Sequence, residues 1–177
     1  MAKKRGRETA YDMVLSMGAV FIAVVVVLLI AWRPQKDYIQ PVDYKGAISN
    51  AVLNSNWPVL VPNKIPTGFE VTSARFEVET YGDSGDTRWY LGYASTDEFI
   101  SLWQSDGKVE RIKSAAIPNV QCNETQSIAN ETWQKCESAD TETRGYLRRE
   151  NDLIYIVSGT TDWSKLQDFI KSLQVAS

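Results

Sequence analysis

The stretch from Met13 to Trp32, MVLSMGAVFIAVVVVLLIAW, constrains this chain more than any other. It runs for 20 residues without a charge or a proline. At ~1.5 Å of rise per residue, a helix of that length covers ~30 Å, the hydrocarbon thickness of a bilayer. In lipid, only a helix or a closed barrel satisfies its own backbone, so a transmembrane helix is expected. A cleaved signal peptide has a shorter apolar region of ~7–15 residues and a small-residue cleavage site. Leu29-Ile30-Ala31-Trp32-Arg33 offers no such site, and no cysteine follows to make a lipoprotein signal. The reading is an uncleaved signal anchor. Ser16, Ala19 and Ala23 supply small side chains within it, a candidate helix-packing face.

The charges around this stretch set an expected orientation. Lys3, Lys4, Arg5 and Arg7 precede it, against Glu8 and Asp12; Arg33 and Lys36 follow it. The excess of basic residues on the N-terminal side predicts a cytoplasmic N-terminus and a C-terminal domain outside the cytoplasmic membrane. The organisation expected is a basic tail over 1–12, the membrane helix over 13–32, a juxtamembrane linker over 33–42 and one folded domain over 43–177. Residues 33–177 number 145, enough for a single domain with a real core. They carry a net charge of −5, and no basic run lies outside the first residues. Nucleic acid is therefore not an expected partner. The short basic tail suits anionic lipid headgroups, which makes the lipid bilayer the first partner. Both cysteines, Cys122 and Cys136, fall in the outer domain, where two cysteines are expected to pair as a disulfide.

Periodicity predicts an α+β fold. Asp43 reads as an N-cap, followed by an apolar stripe at Tyr44, Ala47, Ile48, Ala51 and Val52. Trp57 to Pro62 is a clipped extended piece. Strands are expected over Phe69–Thr80, Arg88–Tyr93 and Phe99–Gln104, with Val109–Ile112 pairing back across the turn at Asp106-Gly107. Pro118–Cys136 is the least regular part, with a strand over Thr132–Cys136. A last hairpin is read over Gly145–Arg149 and Leu153–Ser158, turning at Glu150-Asn151-Asp152. Trp163, Leu166, Phe169, Ile170 and Leu173 then give a helical period to the C-terminus. About six strands joined by tight turns imply one antiparallel sheet, flanked by an N-terminal and a C-terminal helix in an α/β sandwich.

The chemical inventory is thin. The chain has no histidine, which removes Ser–His and Cys–His dyads, and with two cysteines it offers no zinc site. No Gly-rich phosphate loop, nucleophile elbow or dinucleotide fingerprint is present. No cofactor, metal site or catalytic residue is expected. A carboxylate pair is the remaining route to an enzyme; Asp97-Glu98 are adjacent, and solvated loop charges account for them better. Among the tryptophans, Trp89 and Trp163 fit a core. Trp57 and Trp133 sit in irregular stretches and are the candidate interaction surface. Asn123-Glu124-Thr125 and Asn130-Glu131-Thr132 both match the N-glycosylation pattern.

Several stretches resemble a family. Pro41-Val42-Asp43-Tyr44 follows the anchor. Pro66-Thr67-Gly68-Phe69 leads into Thr72-Ser73-Ala74-Arg75. Then come Trp89, Gly92-Tyr93 and Leu102-Trp103-Gln104, with Val157-Ser158-Gly159-Thr160 before a final helix closing in Ser172-Leu173. In this order they resemble actinobacterial single-pass membrane proteins with a C-terminal extracytoplasmic domain of unknown function. The resemblance implies a small α/β sandwich outside the membrane and brings no catalytic residue with it. The Cys122/Cys136 pair is not part of the family's pattern. The leading expectation for function is a non-enzymatic accessory or assembly subunit of an envelope or respiratory membrane protein complex. A lipid- or glycan-binding domain is the second expectation, and a carboxylate-pair hydrolase the third.

Overall fold

In the computed structural model, residues 6–31, 42–78 and 86–176 are described here, with side chains from residue 11 to 28 in the first segment. Lys3, Lys4, Arg5, the Arg7 side chain, Trp32 and most of the 33–42 linker lie outside the described residues. The chain divides into two compact units, residues 1–38 and 39–177.

In the first unit, helix α1 spans Gly6–Ala31. Its window Tyr11–Leu28 has a mean hydropathy of 2.3 and is long and apolar enough to cross a membrane, a property that anchors share with signal sequences. Ser16, Ala19 and Ala23 are exposed on it, and the Ser16 hydroxyl donates to the Met13 carbonyl at 3.0 Å.

The second unit is α+β. Helix α2 (Tyr44–Asn54) starts where expected, because the Asp43 carboxylate accepts the Gly46 N–H at 3.0 Å and satisfies a first-turn donor. Strand β1 (Leu60–Pro62) follows, then β2 (Glu70–Val78), β3 (Thr87–Ala94) and β4 (Phe99–Ser105). Helix α3 (Val109–Ala116) leads to β5 (Val120–Ile128), β6 (Glu131–Ser138), β7 (Arg144–Glu150) and β8 (Leu153–Gly159). Helix α4 (Trp163–Lys171) and β9 (Leu173–Val175) close the unit. Strands β2 to β8 form one antiparallel sheet in the order β2-β3-β4-β8-β7-β6-β5, and β1 pairs with β9 in a second, two-stranded sheet.

Three elements differ from the sequence expectation. Residues 109–112 belong to a helix and not to a returning strand. Val109, Ile112 and Ala116 form a stripe with helical spacing that continues past Ile112, with Glu110 in the first turn and Lys113 in the last, each favourable to the helix dipole. The turn at Asp106-Gly107 therefore leads into α3 instead of closing a hairpin. Residues 120–128 are an edge strand, with one register shift between Cys122 and Glu124. It joins β6 through Ala129 and Asn130, both at positive φ (54° and 66°), the geometry of a tight hairpin turn. The last helix stops at Lys171, and Leu173–Val175 leave it to pair with Leu60–Pro62. Seven strands in the main sheet, not about six, result.

Alternation along the strands sorts side chains onto two faces. One face carries Trp89, Leu91, Tyr93, Leu102, Tyr146 and Val157. It packs under α2, α4 and the β1–β9 pair, with Ala51, Leu166, Phe169 and Ile170 supplied from above. The other carries Leu147, Ile154 and Ile156, covered by Ile112, Ala116 and Ile117 of α3 and its exit. Cys122 and Cys136 are directly opposite across β5–β6 and form a disulfide that borders this second cluster.

Candidate functional site

Helix α3 covers β4, β8 and β7 on the second face. The remainder of that face, over β2, β3 and the near side of β4, carries a group of large side chains that are only partly buried. In register, Arg75 on β2 lies opposite Tyr90 on β3, and Tyr90 lies opposite Trp103 on β4; Glu77 lies opposite Arg88. All five therefore share one face. The Tyr90 and Trp103 rings meet edge to face, with centroids 4.5 Å apart. The Arg75 guanidinium sits 5.1 Å from the Tyr90 centroid, and that of Arg88 sits 5.7 Å from the Trp103 centroid. Glu77 joins the two arginines, pairing with Arg88 and lying 3.8 Å from the Arg75 Nε. These contacts hold the Glu77 carboxyl below the usual carboxylate range, chiefly through the Arg88 hydrogen bond.

The backbone under this group is shaped for it. A side chain at Gly92 would place its Cβ 3.0 Å from the Tyr90 hydroxyl and 3.3 Å from the Ser73 Cβ, so the glycine leaves room for the Tyr90 side chain beside β2. The Trp103 indole N–H donates to the Ser101 hydroxyl at 3.0 Å, and Ser101 shares a hydrogen bond with Ser158 at 2.9 Å. The rings are thus fixed in place while the Arg75 guanidinium beside them stays accessible, its side chain 58% exposed.

A second concave feature lies at one end of the opposite face. A cleft of about 330 Å³ is walled by Trp57, Pro58, Asp106, Glu150, Asp152 and Tyr155, among others. Trp57 is half-buried there, its indole N–H donating to the Thr87 hydroxyl at 3.0 Å.

The residues singled out in the sequence divide as follows. Trp57 lines that cleft. Trp133 is 2% exposed and lies in the core under the Arg148 guanidinium, which corrects its expected place at the surface: it falls on an inward position of β6, which lies between β5 and β7 in the sheet. Trp89 is fully buried, as expected. Trp163 is half-buried against Tyr146, with Lys135 4.6 Å from its ring centroid. Glu98 is held by Lys165 at 3.1 and 2.7 Å, which lowers its pKa. Among the described residues, no group of three or more His, Cys, Asp or Glu is arranged to hold a metal ion. Asn123 and Asn130 are both exposed, on β5 and in the β5–β6 turn. Sequence reasoning missed the Arg75–Tyr90–Trp103–Arg88 group. The signal for it was present only in part: Arg88 and Tyr90 alternate on β3, whereas Arg75 and Trp103 come from the neighbouring strands and join them only through the sheet register.

Comparison with known proteins gives little beyond the family. The chain is similar to MucB as seen in a crystal structure of MucB in complex with MucA(peri), at 11% identity and a TM-score of 0.36, over 67% of this chain and 36% of that one. It is similar in the same way to a chain of the Pseudomonas aeruginosa MucA/MucB complex, at 11% identity and a TM-score of 0.37, over 68% and 36%. The chain thus spans about a third of the length of these structures. No curated protein matches the sequence. A family model does match, over residues 5–173, nearly the whole chain, and the protein belongs to that family, DUF4245, a family of proteins of unknown function.

Proposed function

We propose that this protein is a non-enzymatic, membrane-anchored module. In this reading α1 holds it in the cytoplasmic membrane, and the α+β unit outside docks as an accessory subunit on a membrane protein complex. The observation that carries the reading is the open sheet face. Tyr90 and Trp103 supply rigid aromatic area and Arg75 an exposed guanidinium beside it, and tryptophan, tyrosine and arginine are the residue types that dominate the energy of protein interfaces. Rings already fixed by Gly92 and Ser101 lose little freedom when a partner covers them.

The alternative of a lipid or glycan held between sheet and helix meets a filled interface, where Tyr93 stacks on Phe169 at 5.5 Å and Leu166 is fully buried. The hydrolase reading loses its sequence candidate, because Glu98 is engaged by Lys165.

The test is a photo-crosslinking residue placed at position 75 of the full chain in native membranes, with the same residue at Lys171 on α4 as a control. The expected result is one stoichiometric membrane-protein adduct from position 75, abolished by Tyr90→Ala and Trp103→Ala. Equal labelling from both positions, or an adduct that survives both substitutions, defeats the reading.

A further inference from the structure

Strand β2 is one of the two outer strands of the main sheet, and among the described residues it pairs with β3 alone. None of its nine residues is buried, although Val71, Ala74 and Phe76 pack on the core. Val78 is 54% exposed. The backbone N–H and C=O groups along such an edge are a template for another strand unless charge, proline or a bulge blunts them. The register of β2 shifts between Val71 and Ser73, and from Ser73 to Val78 it runs without a break. That run reads SARFEV, with one positive and one negative charge two residues apart. Arg75 and Glu77 therefore share the open face, and Ala74, Phe76 and Val78 share the other.

We propose that β2 pairs antiparallel with β2 of a second copy of this chain, about a two-fold axis at Phe76. Such a pairing is isologous, so the residue on the axis fixes the register. With Arg75 or Glu77 on the axis, like charges lie directly opposite, which destabilises a sheet. With Ser73, Ala74 or Val78 there, neither charge meets its opposite. An axis between two residues sets the open face of one copy against the covered face of the other. With Phe76 on the axis, Arg75 of each copy lies opposite Glu77 of the other, and Ala74 lies opposite Val78. Opposite charges then meet on one face and apolar side chains on the other. Glu77 already pairs with Arg88 in its own chain, so the contact joins both copies into one charge network. The other outer strand, β5, has no such match: its register shifts between Cys122 and Glu124, and Glu124 is its single charge. The pairing goes beyond the docking reading, because it uses the strand edge and leaves the Tyr90 and Trp103 rings uncovered. Either can fail alone.

The test co-expresses two differently tagged copies of the full chain and recovers one tag after mild detergent extraction. Parent copies should carry one another. Two Arg75→Glu copies, or two Glu77→Arg copies, should do so at least about five-fold less, because each places like charges opposite one another across the axis. An Arg75→Glu copy with a Glu77→Arg copy should recover the parent level, since opposite charges then meet at both positions; that recovery also certifies that both variants fold. Cysteine crosslinking reads the register, because directly opposite Cβ atoms lie about 5 Å apart, within reach of a disulfide. An Ala74→Cys copy with a Val78→Cys copy should form a linked dimer under mild oxidation, and neither variant should link to itself. Co-purification that neither charge reversal weakens assigns the association to α1 and overturns the proposal. Parent copies that do not co-purify, a mixed charge pair that does not recover, or a mixed cysteine pair that does not link overturns it equally.

Discussion

The two faces of the seven-stranded sheet use the same alternating strands but are finished differently. On the face under α2 and α4, polar groups serve to fasten one layer to the next. The Gln104 side chain, fully buried, accepts the Leu60 N–H at 2.6 Å and donates to the Pro58 carbonyl at 3.1 Å, while the Trp89 indole N–H donates to the Leu60 carbonyl at 3.0 Å. The short strand β1 is thereby pinned to the main sheet through its own backbone. Tyr44 and Tyr93 share a hydrogen bond at 3.1 Å in the same layer, and burial pushes the Tyr93 hydroxyl far above the usual phenol range. On the opposite face, polar groups serve the surface. Arg75 lies over Tyr90 and Arg88 over Trp103, Glu77 bridges the two arginines, and Arg75 keeps its outer edge in water. Cations lie over rings on the first face as well, Arg148 over Trp133 and Tyr155; the second face differs in that, among the described residues, α3 covers its β4–β8 part and no helix covers its β2–β3 part.

The contrast is tested most severely at Gln104. Gln104→Leu keeps the volume and removes the hydrogen bonds to the Leu60 N–H of β1 and to the Pro58 carbonyl just before it, leaving part-buried backbone groups unsatisfied at the lower end of roughly 1–3 kcal/mol each. Denaturant unfolding of the full chain should show that loss. A change below half a kilocalorie would mean that β1 is not held from below. The disulfide comes next. Cys122→Ala with Cys136→Ala opens a loop with a sequence separation of 14, and the chain-entropy model gives a loss of about 3 kcal/mol for a loop of this size. The same unfolding experiment measures it. Because β5 is the edge strand, its amides should also gain hydrogen exchange relative to those of β4, and uniform exchange across the sheet would contradict that local role.

Much of the fold was legible, and the places where it was not have physical causes. Asp43, the alternation in β3 and β4, and the stripe from Trp163 to Ile170 each state their structure locally, and the structure follows them. Residues 109–112 misled because four residues of either period look alike, and only Ile112 and Ala116 together reveal the helix. Strand β5 was illegible because an edge strand facing water on much of its length lacks the apolar alternation that marks a buried one: Asn123 through Ser127 are all exposed. Strand β9 follows from a long-range pairing with β1 that no local pattern encodes. The site was harder still. Trp133 and Trp103 carry the same side chain, and whether each faces a core or an open surface depends on which helix crosses which strands. That information lies in the sheet order β4-β8-β7, where α3 settles; among the described residues no helix covers the same face of β2 and β3. Trp89 and Gln104 stand in stretches that carry the family resemblance, and their partners on β1 give those positions a structural reason.

The smallest effect concerns Glu77, and it tests whether the open face is ordered before any partner arrives. Its carboxyl lies below the usual range because Arg88 donates to it and Arg75 adds charge nearby. A depressed folded-state pKa stabilises the fold at pH values above the unfolded carboxylate value. That contribution fades as the pH falls through the folded value. The pair is partly exposed, so its worth is discounted to about 0.2–1 kcal/mol. Glu77→Gln should therefore lower stability slightly at pH 7 and converge with the parent protein under acid, below both values. Carbon-13 carboxyl titration of the parent should place Glu77 below the ordinary glutamate value. If Glu77 titrates at that ordinary value, the two arginines are not joined through it, and the open face is a set of independent surface charges instead of a prepared contact.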